Sequence, residues 1–200
     1  AWRIDTHANG PAGTQASVAG LVNTDGTLNL DIAGNAPLGL ARPFLAPRDL
    51  QGQAQFDLNI NGPAALSSVS GRITTNSATF TAPNLRVALQ GINADIQLGN
   101  NRAQIDVTGQ AVDGGELRVA GAITLTPALP ADIAVTVRNL TYADPSLYST
   151  TLNGDLRLAG PLSGGAQISG VINVGETSIQ VPATGLTSIN PRIQRAPDGT

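Results

Sequence analysis

The 200-residue sequence predicts an all-β chain built as a long antiparallel sheet, and three observations carry that prediction. Apolar and polar residues alternate with period two in most segments. Turn residues recur at short spacing between those segments. Helical periodicity is nearly absent. In "FDLNI" Phe56, Leu58 and Ile60 point one way while Asp57 and Asn59 point the other; in "RAQIDVTG" Ala103, Ile105 and Val107 oppose Arg102, Gln104 and Asp106. The same pattern covers Leu28-Leu30-Ile32, Leu85-Val87-Leu89, Ala94-Ile96-Leu98, Leu117-Val119, Ile133-Val135-Val137 and Leu156-Leu158. Each ribbon therefore has one dry face and one wet face, with strands expected to run about eight residues, or about 26 Å.

The breaks follow from turn chemistry. Asp25-Gly26, Gly99-Asn100-Asn101 and Asp113-Gly114-Gly115 read as hairpin turns. The stretch 40–53, with two prolines, reads as a longer loop, and "YADPSLYS" (142–149) as a second loop or a single helical turn. Gly62-Pro63 and Gly160-Pro161 read as strand terminators at the rim of the sheet.

An internal repeat links distant ribbons. Leu58, Ile60, Gly62, Pro63, Gly71, Ile73, Phe80 and Pro83 recur in order, with one residue of slack, as Leu156, Leu158, Gly160, Pro161, Gly170, Ile172, Ile179 and Pro182. Gly20 with Val22 and Gly121 with Ile123 mark weaker copies, so the glycine anchors fall at 20, 71, 121 and 170. Their spacing predicts a unit of about 50 residues and about four short strands, stacked in an array.

Composition excludes several functions. There is no Cys, which removes disulfides, thiolate chemistry and cysteine metal sites. Net charge is −3, with no Lys and no basic run, which argues against nucleic-acid binding and polybasic docking on lipid headgroups. No apolar run approaches the roughly 18 residues of a membrane span, and no signal peptide is present. The sequence starts mid-pattern and ends without closing anything, so residues 1–200 read as a fragment of one extended domain, with any anchor outside it.

Candidate chemistry is sparse. His7 is the sole histidine and sits near one end, a poor basis for a catalytic triad or a histidine metal site. Asp95, Asp106, Asp144 and Asp155 alternate with apolar partners, which makes them members of the wet face rather than a glycosidase pair. Asp113-Gly114-Gly115 occurs once, as a turn rather than a calcium repeat. Gly164-Gly165 precedes no helix that could cradle phosphate. The residues thus predict no catalytic group, no metal and no cofactor, and the chain is not expected to be an enzyme.

The dry face admits two arrangements. A closed sandwich would press two such faces about 10 Å apart, usually with larger side chains than these. The face here is mostly Ala, Val, Leu and Ile, with only six aromatics in the chain (Trp2, Phe44, Phe56, Phe80, Tyr142 and Tyr148). A long sheet curled into a U-shaped hydrophobic trough is the other arrangement. Such a trough would relieve a real cost: an acyl chain of about sixteen carbons in water costs on the order of 12 kcal/mol at about 0.8 kcal/mol per methylene. The expected groove lining is Phe56, Leu58, Ile60, Ile73, Phe80, Val87, Leu89, Ile96, Ile105, Val107, Val119, Ile133, Val135, Leu156, Leu158 and Ile172.

Three stretches, "DGGELRVAG" (113–121), "NLTYADPSLYSTTLNGDLRLAGPL" (139–162) and "QISGVINVGETSIQVP" (167–182), resemble the TamB family of translocation and assembly module subunits, in the large periplasmic region also called DUF490. The resemblance covers residues 52–190, more loosely the first fifty. It implies a β-taco fold, shared in kind with AsmA-like and chorein-type bridge lipid-transfer proteins. It also implies an inner-membrane-anchored protein of diderm bacteria that crosses the periplasm to an outer-membrane barrel, TamA, through regions outside this segment. Roles in autotransporter and outer-membrane protein assembly and in phospholipid transport follow as expectations. Two functions compete: a conduit for phospholipid acyl chains, and a chaperone whose sheet edge binds unfolded outer-membrane protein strands by β-augmentation. A secreted adhesin solenoid would want rungs of 20 to 25 residues and stacked polar or aromatic ladders, and neither is found.

Overall fold

The computed structural model describes residues 1–10, 13–144 and 147–179. Its elements are β1 (Trp2–Asn9), β2 (Gln15–Val22), β3 (Thr27–Pro37), the one-turn α1 (Arg42–Leu45), β4 (Asp49–Gln51), β5 (Gln53–Pro63), β6 (Val69–Ala82), β7 (Val87–Gly99), β8 (Arg102–Ala111), β9 (Glu116–Thr124), β10 (Pro130–Asp144), β11 (Tyr148–Pro161) and β12 (Gln167–Ile179). The twelve strands form one sheet in the order β1-β2-β3-β5-β6-β7-β8-β9-β10-β11-β12, with β4 beside β6 off that path. The pairings are antiparallel, and the sheet is not closed into a barrel. At about 4.8 Å per strand the meander extends on the order of 50 Å.

The predicted turns fall where they were read. Asp25 shapes the β2–β3 turn by accepting hydrogen bonds from the backbone N–H and hydroxyl of Thr27, at 2.9 and 2.7 Å. Asn100 and Asn101 take φ of 50° and 60° between β7 and β8, the left-handed pair that a tight hairpin needs. Pro63 and Pro161 end β5 and β11.

Three readings need correction. The stretch 40–53 is more than a loop: it holds α1, β4 and the start of β5, and Leu50 of β4 pairs with Phe80 of β6. Leu85 lies in a short helical turn before β7 and is exposed, so its apolar alternation with Val87 is not a strand pattern. The strands are also longer than expected, with 14 residues in β6, 15 in β10 and 14 in β11.

Long strands of a curled sheet must bend, and the bends have local causes. Ser77 in β6 and Asn139 in β10 carry left-handed φ of 56° and 51° at breaks in register. Each bulge is tied to its neighbour by an asparagine: the Ser77 N–H donates to Asn93 Oδ1 at 3.2 Å, and the Asn139 N–H to Asn153 Oδ1 at 2.9 Å. An extra residue at a bulge increases local twist and bends the strand. It also resets the alternation, so inward residues continue as Thr75, Ala78, Phe80 and Ala82 along β6.

The glycine series has a shared geometry. Gly20, Gly71, Gly121 and Gly170 have φ between 126° and 157°. On each, a Cβ would come within 2.0–2.2 Å of a carbonyl oxygen in an adjacent strand. They lie on β2, β6, β9 and β12, which are three sheet positions apart, not four. An odd number of antiparallel steps reverses strand direction. Accordingly Gly20 and Gly121 press on the strand that follows (β3, β10), and Gly71 and Gly170 on the one that precedes (β5, β11). Like returns to like only after six strands. That is the spacing of the strong match, β5–β6 with β11–β12, whose last member Pro182 lies outside the described residues.

Burial is shallow. Among the described residues no large side chain is fully buried, and substantial contacts run between sheet neighbours rather than between stacked layers. The densest packing is a cluster of Ala78, Leu89, Ile92 and Ala111, with Leu38, Phe80, Val87, Val107, Leu117 and Leu140 against it.

Candidate functional site

Register assembles the dry faces of single ribbons into one surface. Directly paired residues share a face, and one row runs Phe56, Ile73, Ile96, Ile105, Gly121, Ile133, Leu158, Ile168 from β5 to β12. The next row runs Ala54, Thr75, Ala94, Val107, Val119, Val135, Leu156, Gly170. Leu58 and Ile60 continue the same face toward β3, opposite Ile32 and Leu30. Phe80 and Leu89 pair beyond the β6 bulge, with Val87 opposite Ala82. Of the predicted lining, Leu89 and Ile133 are buried and most others half-buried. Ile172, opposite Gly154 on the outermost strand, is 55% exposed.

The other side is a lattice of charge. Among the described residues six arginines pair with aspartates, four of the pairs on this side. Arg157 holds Asp132 through two bonds of 2.6 Å, Arg138 holds Asp155 at 2.8 and 3.1 Å, and Arg118 holds Asp106 at 2.7 Å. Arg72 grips Asp95 in the same two-pronged way. The planar guanidinium suits this fork, which a lysine could not reproduce. The arginine hydrogen bonds lower the Asp132, Asp155 and Asp95 carboxyls below the usual range, against a smaller opposing effect of desolvation.

Asp144 departs from its predicted place. The bulge at Asn139 shifts the alternation, so Leu140, Tyr142 and Asp144 follow the apolar side. The Asp144 side chain is 11% exposed and pairs with Arg86, whose own side chain is 56% exposed. Tyr142 and Tyr148 lie beside the pair, ring centroids 6.1 Å apart. The hydrogen bond to Asp144 raises the Arg86 guanidinium above its ordinary value.

A chamber of about 390 Å³ opens on the apolar side, with almost no polar surface in its walls. Predicted residues Ile73, Phe80, Leu89, Ile96 and Val107 line it together with Leu38, Leu50, Ile92 and Leu117, which were not among the predicted lining. Ile92 was hidden by Gly91, whose φ of 58° breaks the alternation after Leu89. Leu50 was hidden in the proline-rich stretch 40–53, and Leu38 lies in the helical turn that leads into it. Among the described residues no group of three or more His, Cys, Asp or Glu is placed to hold a metal ion.

An unclosed antiparallel meander with an aliphatic side and an ion-paired side defines the chain as an extended, groove-forming β-sheet protein. Residues 104–195 match the family model of the TamB C-terminal domain, so that part of the chain is similar to the TamB family. No curated protein and no solved structure matches it. TamB proteins are periplasm-spanning envelope proteins, and the match supports, in general terms, a TamB-like role in outer-membrane protein assembly and transport. Among the described residues no helix is long and apolar enough to cross a membrane.

Proposed function

We propose that the apolar side is a non-catalytic groove in the periplasm that carries phospholipid acyl chains toward the outer membrane and so supports outer-membrane and autotransporter protein assembly. The full protein would be anchored in the inner membrane and meet a TamA-type barrel through regions other than these. The observation that carries this reading is the half-burial of the aliphatic rows. Side chains such as Ile105, Val107, Val119 and Val135 are covered by their sheet neighbours but, among the described residues, by no second layer. Unlatched apolar area of this extent is unfavourable in water, and an acyl chain is the occupant whose length and chemistry suit it.

Val107→Asp tests the reading. A carboxylate there would displace about two methylenes from the groove wall, costing about 1.6 kcal/mol, so lipid transfer should fall by at least tenfold while the sheet stays folded. Normal transfer by a folded variant would contradict the groove.

A second reading is favoured by β12, which is exposed along its length and pairs with β11 on one side only among the described residues. Its free backbone groups could receive a strand of an unfolded outer-membrane protein. Crosslinks from β12 to barrel precursors would support that role, and their absence would count against it.

A further inference from the structure

We propose that the excursion between β3 and β5, residues 38–52, makes the apolar chamber a resting seat for a single acyl chain, held there by Leu38 and Leu50. The proposal rests on the lipid-groove reading and adds where along the groove a chain is held. Six strands on from β3 and β5 in the sheet stand β10 and β11. There residues 145–147 are all that separates the strands, whereas residues 38–52 separate β3 from β5. An insertion carried by one copy of a repeat array marks a segment with a role of its own, often on the binding face.

The excursion is built into the sheet and reaches the groove. β4 takes the place beside β6 that β5 leaves: Ala54 pairs with Thr75 before the Ser77 bulge, and Leu50 with Phe80 beyond it. The Leu38 N–H donates to the Gly52 carbonyl at 2.9 Å, and Arg42 holds Asp49 at 2.9 Å, so the excursion is tied to itself at two places. Leu38 and Leu50 thereby stand half-buried in the chamber wall, and Ile73, Ile96 and Val107 of the same wall continue into the aliphatic rows. A chain in the open rows meets the sheet alone; in the chamber it also meets the two leucines. The volume suits one chain, because an apolar cavity of about 150 Å³ admits benzene and about 390 Å³ therefore holds on the order of fifteen carbons. The walls favour an acyl chain over a peptide strand. They expose almost no polar surface, and the Thr75 hydroxyl donates to the Gln53 carbonyl at 2.6 Å. Peptide N–H and C=O groups would go unsatisfied there at a cost, and the methylenes of an acyl chain carry none.

The test exposes the full-length protein to a palmitic acid analogue that carries a diazirine at its methyl end, and maps the adducts after illumination. Within residues 1–200 the adducts should gather on the chamber walls, Leu38 and Leu50 among them, and saturate at one per molecule. With the analogue below saturation, Leu38→Ala with Leu50→Ala should lower the adduct yield on residues 73–117 at least tenfold. Leu40→Ala, which removes an exposed leucine of the same excursion, should leave that yield unchanged. Adducts spread evenly along the rows, or a folded double variant with the parent's yield, would overturn the seat and leave the groove standing. A folded parent that gives no adduct would overturn the groove reading and the seat with it, and chamber adducts from a photo-leucine peptide of a barrel strand would then make the occupant protein. Should the double variant fail to fold, the parent's adduct map decides alone.

Discussion

Gly71 of β6 and Leu58 of β5 stand directly opposite each other, so close that a Cβ on Gly71 would lie 2.8 Å from the Leu58 Cα and 2.1 Å from the Asp57 carbonyl oxygen. With φ at 126°, the position suits glycine on both counts. Gly71→Ala should therefore destabilise the sheet by about 3 kcal/mol, lowering the melting midpoint by about 6–12 °C. Gly99→Ala, where a Cβ meets nothing within 4 Å, should change it little. Similar midpoints for the two variants would remove the close approach as a determinant of the curl.

The outer face predicts an acid response. Asp132 is held below the usual carboxylate range first by its hydrogen bonds from Arg157. A lowered folded-state value means that its stabilisation is complete above the unfolded value of about 3.9 and is lost as pH falls through the lower one. The melting difference between the parent chain and Arg157→Gln should be present at pH 7 and shrink as pH drops below about 4. A difference that grew on acidification would show that the pair is not its source.

Asn153 predicts a smaller effect at the bend of β10. Asn153→Ala removes the acceptor for the Asn139 N–H and should cost about 1 kcal/mol. Hydrogen exchange should quicken around residue 139 without spreading to β6, and uniform quickening across the sheet would argue against a local clip.

Alternation made most of the apolar side legible, because a one-residue slip would have sent whole rows to the wrong face. Phe56, Ile73, Ile96, Ile105, Ile133 and Leu158 fall in one register as a result. What could not be read were the bulges. Ser77, Gly91 and Asn139 each insert an offset that no local propensity announces, and downstream of Asn139 this moved Asp144 from the wet side to its pair with Arg86. The repeat was legible as spaced glycines but not as geometry: sequence spacing cannot show that three antiparallel strands invert direction and that six restore it. β4 escaped notice because three residues are too few for a period.

The central claim is that this side of the sheet faces lipid. A photo-crosslinking residue placed at Val107 and, separately, at Asp106 of the full-length protein, in cells with labelled phospholipid, tests it most directly. The two positions are neighbours in β8 on opposite faces, Val107 opposite Val119 in the groove and Asp106 bonded to Arg118 outside. Lipid adducts at 107 and none at 106 are the predicted result. Equal labelling, or none at either, would contradict the groove and leave strand binding at β12 as the function to pursue.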